Sequence, residues 1–131
     1  MAIYTSRAPL LLFRASDICF LGILRACQTA EIPVVIFTFT WPGAGPWLSE
    51  YSDAPYERVE IPNPFEFPAE AAEKTARELA RLAEQWGQRL MAMPSSDTNL
   101  MFLLDNFARF APFIRLMGQR DFDGSPAHLV D

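Results

Sequence analysis

Two short apolar runs each break at a polar corner and give way to a helix pattern. This repeated switch constrains the chain more than any other feature. The first run is Leu10–Arg14, followed by Ala15-Ser16-Asp17; the second is Arg89–Met93, followed by Pro94-Ser95-Ser96-Asp97. The first run does not alternate polar with apolar residues, as expected of a parallel strand covered on both faces. In open α/β sheets ligands sit outside the carboxyl ends of the strands. The two corners, each carrying Ser then Asp, are therefore the expected mouth of a site.

The rest of the chain fits alternating strands and helices. Ser16 or Asp17 can cap a helix from about Ile18 to Thr29, with Ile18, Leu21, Leu24 and Ala26 or Cys27 at helical spacing. Gly22 is expected to let that helix approach the sheet closely. Glu31-Ile32-Pro33 breaks the helix, and the β-branched and aromatic run Val34–Thr40 is the clearest strand. Strand, helix, strand in this order is a βαβ unit with parallel pairing and a right-handed crossover. Trp41–Pro55 is a loop rich in Pro, Gly and Trp, read either as a structural lid or as a ligand or partner surface. Tyr56–Ile61 is a charged strand suited to a sheet edge.

Pro68–Gly87 is the strongest helix pattern. Pro68 suits the first turn, Glu70 and Glu73 complement the dipole, and Gly87 suits the position after the end. Its expected buried stripe is Ala72, Ala76, Leu79, Ala83 and Trp86, with Glu70–Lys74 and Glu73–Arg77 pairs on the wet side. A further helix runs from about Asp97 to Phe110 with a stripe of Leu100, Leu103, Leu104 and Phe107. Pro112 ends it, and Phe113–Met117 is a weaker strand pattern. The sum is a three-layer, Rossmann-like α/β fold: an open, mainly parallel sheet of about four to five strands with helices on both faces.

Composition excludes several classes. Net charge is −5, and the ten Arg and one Lys form no basic stripe, which argues against nucleic acid and against a membrane surface. No apolar run reaches the roughly 18 residues of a membrane-spanning helix, and no signal-peptide pattern is read. Cys19 and Cys27 fall in one helix, about 12 Å apart along its axis, too far to bridge. They read as buried free thiols of a cytoplasmic protein.

Catalytic and metal constellations are missing. There is no glycine-rich phosphate cradle and no GxSxG elbow. The one histidine, His128, lies near the end, so neither a triad nor a zinc site with three His or Cys ligands is built. No catalytic residue and no metal ligand is assigned. Asp17 and Asp97 are either a carboxylate pair across the crevice or two helix caps.

Four segments in order carry a resemblance: Leu21-Gly22-Ile23-Leu24-Arg25-Ala26, Glu31-Ile32-Pro33-Val34-Val35, Ser49-Glu50-Tyr51-Ser52 and Pro94-Ser95-Ser96-Asp97. Together they resemble the N-terminal, pre-ATP-grasp domain of ATP-grasp carboxylate–amine ligases, in the D-aspartate ligase-like branch. Glu31 stands where that family usually has glycine, and Glu50 where it has arginine. The resemblance implies a pre-ATP-grasp-like domain over residues 1–117 and an exit linker over 118–131 towards a missing ATP-grasp domain. It implies chemistry in which ATP activates a carboxylate as an acylphosphate and an amine attacks it. ATP and Mg²⁺ would be gripped by those other domains, in cis or in trans, and no activity is expected from this chain alone. Its share would be the wall of a pocket for a small carboxylate or amine substrate, formed by Ser16, Asp17, Thr40, Trp41, Ser95, Ser96 and Asp97.

Two alternatives stay open at the level of sequence. One is a free-standing domain that holds a small metabolite at Ser16 and Ser96. The other is an interaction domain that docks through Trp41, Trp47 and Phe65, with a homodimer among its forms.

Overall fold

The computed structural model describes residues 8–14, 18–40 and 56–116. The expected caps Ser16 and Asp17, the loop Trp41–Pro55, His128 and the linker 118–131 lie outside them. Five strands form one sheet: β1 Leu10–Phe13, β2 Val34–Thr40, β3 Tyr56–Pro62, β4 Leu90–Pro94 and β5 Ile114–Leu116. Among the described residues the helices are α1 Ile18–Thr29, α2 Pro68–Trp86, α3 Asp97–Asp105 and the single turn α4 Phe107–Phe110.

Every strand pairing is parallel, and the order is β3-β2-β1-β4-β5. The chain moves outward from β1 to β2 on one side and from β4 to β5 on the other. Right-handed crossovers then put the helices of the two halves on opposite faces. Leu10, Leu12, Val34 and Ile36 meet Phe20, Leu24 and Cys27 of α1 on one face. Leu11, Phe13, Val35, Phe37, Phe39, Val59 and Ile61 meet α2, α3 and α4 on the other. The fold is the three-layer Rossmann-like arrangement, with β3 at a sheet edge as its charges suggest.

Helix faces differ in detail from the sequence pattern. Among the α1 residues whose burial is described, the buried positions are Phe20, Leu24 and Cys27, while Ala26 is exposed. Gly22 lies on the far side: it is exposed, and a Cβ there would meet nothing within 4 Å. The expected close approach at Gly22 is therefore wrong. Burial pushes the Cys27 thiol above its ordinary pKa, so it stays protonated. In α2 the buried line is Ala71, Ala72, Thr75, Leu79 and Leu82, rotated from the expected stripe, with Ala76 and Trp86 only flanking it. Arg77 pairs with Glu73 at 3.3 Å, as their spacing suggests.

The helix expected to run unbroken to Phe110 stops at Asn106. The Asn106 side-chain amide donates to the Phe102 carbonyl at 2.9 Å and competes with helix continuation. The bend brings Phe110 into the core, 5.6 Å from Phe102, which itself meets the edge of Phe39 at 5.0 Å. Phe102 and Phe110 are buried where Leu100, Leu104 and Phe107 were expected to lead.

Helix ends use the left-handed backbone twice. Gly87 (φ 66°) closes α2, with Gln88 N–H donating to the Ala83 carbonyl at 3.2 Å. At the end of α1, Ile32 N–H donates to the Cys27 carbonyl at 2.8 Å, and Glu31 takes φ 60°. A side chain in that region costs about 1–2 kcal/mol, partly offset by the extra unfolded-state freedom of glycine. Glu31→Gly is expected to raise stability by about 0.5–1 kcal/mol in a urea melt; a lower midpoint would contradict the reading of strain at this turn.

Candidate functional site

Strands β1 and β4 lie side by side, with Phe13 opposite Pro94. They are the neighbours from which the chain departs in opposite directions, so their carboxyl ends form the switch-point crevice of the sheet. Strand β2 pairs Phe37 with Phe13 and then continues through Thr40. Three more residues at about 3.3 Å each raise β2 roughly 10 Å above the crevice floor. The site is thus a step, with β2 and β3 as its wall.

Side chains tie the two corners together. Ser95 Oγ donates to the Phe13 carbonyl at 2.5 Å. Asn99, only 2% exposed, donates through Nδ2 to the carbonyls of Phe13 at 3.4 Å and Arg14 at 3.2 Å. Its Oδ1 accepts from the backbone N–H groups of Ser95 at 2.9 Å and Ser96 at 3.1 Å. Asn99 N–H donates back to Ser96 Oγ at 3.3 Å, which completes a capping box. One buried amide therefore satisfies polar groups from both strands.

The cap of α3 is Ser96, not Asp97. Asp97 is the first helical residue and is exposed, where its charge complements the helix dipole. Thr40 stands at the top of the wall and donates to the Ile61 carbonyl at 3.3 Å. The expected site residues thus fall into groups. Ser95 and Ser96 lie at the corner, Thr40 stands on the wall above, and Asp97 faces outward from the start of α3. Ser16, Asp17 and Trp41 lie outside the described residues.

Two residues at this rim were not singled out from sequence. Arg14 follows β1 directly and is half-buried. Asn99 is the organising group. Its signal was the Ser96-Asp97-Thr98-Asn99 spacing, a capping box with Asn in place of the usual Glu or Gln.

The N–H groups of Ser95 and Ser96 that could cradle phosphate already donate to Asn99, and Asp97 sets a carboxylate at the helix start. What the corner leaves facing outward is acceptor-rich: the Asp97 carboxylate beside the hydroxyl of Thr98.

A second concavity lies beside it. A groove of about 510 Å³ runs between the β3–α2 connector and α3, lined by Pro64, Phe65, Asp97, Met101, Phe102 and Asp105 among others. No helix among the described residues is long and apolar enough to cross a membrane.

Compared with models of known protein families, with curated proteins and with solved structures, the chain matches none.

Removing the Asn99 side chain should cost more than removing the cap it completes. Ser96→Ala is expected to lose about 1 kcal/mol. Asn99→Ala removes hydrogen bonds to two N–H groups and two carbonyls and is expected to lose about 3 kcal/mol in urea unfolding. Equal losses would contradict the role given to the amide.

Proposed function

We propose that the chain is the N-terminal, substrate-side domain of an ATP-dependent carboxylate–amine ligase. It walls one side of the acceptor pocket and depends on ATP-grasp domains, in cis or in trans, for nucleotide and Mg²⁺. The observation that carries this reading is the joined corner at the ends of β1 and β4, at the switch point of a parallel sheet. A second observation supports it. Glu31, where the resembled family carries glycine, takes the left-handed backbone that favours glycine.

In the ligase family ATP activates a carboxylate, and an amine then forms the amide bond. This chain's contribution is positional. Asp97 can accept hydrogen bonds from an ammonium group, and Ser96 can line the same small ligand. The chemistry of this corner suits the amine-bearing substrate better than a phosphate.

The test is a titration of the isotope-labelled chain followed by amide NMR. Amino acids at millimolar concentration are expected to shift the amides of Ser96–Thr98 saturably, while ATP with Mg²⁺ leaves them unmoved. Saturable shifts with ATP and Mg²⁺ alone would favour a free-standing nucleotide-binding module instead. No shift with any amino acid would remove the pocket.

A further inference from the structure

We propose that the groove between the β3–α2 connector and α3 docks a basic, amphipathic segment of a partner polypeptide. This surface borders the proposed acceptor corner and shares Asp97 and Thr98 with it, but its apolar part, Phe65, Met101 and Phe102, lies outside that corner. The groove has an apolar interior and an acidic rim. Phe102 forms its floor, braced by Phe39 and Phe110. Phe65 and Met101 rise on its two banks and are 75% and 53% exposed, an unusual expense of apolar surface in a soluble face.

Phe65 is held outward rather than left loose. Its N–H donates to Asn63 Oδ1 at 2.9 Å, in a connector stiffened by Pro62, Pro64 and Pro68. The backbone of this bank is therefore organised before anything binds, which lowers the ordering cost of association.

Charge selects the partner. Asp97 and Asp105 both line the groove, and among the described residues no Lys or Arg does. They stand eight residues apart on α3, about 12 Å along the axis. A matching segment carries two cations at that distance with an apolar side chain between them. In extended chain that spacing is four residues, about 13 Å.

The other occupants fit less well. A second copy in an isologous contact would bring acidic rim against acidic rim. A small organic cation would leave most of the Phe65 and Met101 surface wet, whereas small ligands are enclosed by their pockets. Aromatic and Met side chains framed by charge are the usual make-up of a polypeptide interface.

The experiment titrates the full-length chain with three blocked peptides and follows amide NMR shifts. They are Arg-Ala-Phe-Ala-Arg, Glu-Ala-Phe-Ala-Glu and Arg-Ala-Ala-Ala-Arg. The Arg-Phe-Arg pattern is expected to shift Thr98, Met101 and Asp105 saturably, and to weaken with added salt. The acidic peptide should not bind, and the peptide lacking Phe should bind more weakly. The double variant Asp97→Asn with Asp105→Asn is expected to lose affinity about tenfold. Met101→Ala, with unchanged circular dichroism, should weaken it too. Equal binding of the acidic and basic peptides, undiminished affinity in the double variant, shifts centred away from α3, or no saturable shift would each overturn the proposal.

Discussion

The side chain of Asn99 joins two strand ends that the sheet alone would leave as separate corners. Its oxygen faces the amides of Ser95 and Ser96, and its nitrogen faces the carbonyls of Phe13 and Arg14. Only an uncharged carboxamide can serve both. A carboxylate would face two carbonyl oxygens without a donor, and an aliphatic side chain would give up the bonds to all four backbone groups. Because the residue is buried, these bonds are made away from competing water and are costly to leave unmade. The rim of the sheet, and any site on it, inherits its geometry from this amide.

From that joint the remaining features follow outward. The corner holds β1 and β4 level, so β2 and β3 overhang it as a wall. Helix α3 starts at the joint with a closed capping box and leans on β2 through the Phe39–Phe102 contact. The Asn106 break then turns the chain so that Phe110 closes the core beneath α3. The same α3 offers its far side to the groove. One helix therefore shapes both concavities, one polar and one apolar with an acidic border.

Regular elements were legible because their signals are local. Val34–Thr40 is β-branched and aromatic throughout, and Ile18–Thr29 lies between a polar corner and a Pro-containing break; both have the bounds expected of them. The charges of Tyr56–Ile61 spoke for an edge position, which β3 holds. Features that depend on partners distant in sequence were hidden. Asn99 reads as an ordinary polar residue of a helix, because the carbonyl it grips lies 86 residues earlier. The Asn106 break was masked by a periodicity that runs on to Phe107 and stops being useful once the chain bends. Gly22 suggested close packing, but the side of α1 that meets the sheet carries Phe20, Leu24 and Cys27. At the candidate site the sequence pointed to the ends of the first and fourth strands, which the sheet sets side by side. It did not show that Ser95 and Ser96 spend hydrogen bonds on holding those corners together.

The central claim is that the Asn99 amide bolts the two corners into one rim. Native-state hydrogen exchange of the Ser95 and Ser96 amides tests it most directly, since both donate to Asn99 Oδ1. Protection approaching that of the β4 amides in the intact chain, lost in Asn99→Ala while β4 stays protected, is the predicted result. Exchange at the rate of an unstructured peptide in the intact chain would contradict it.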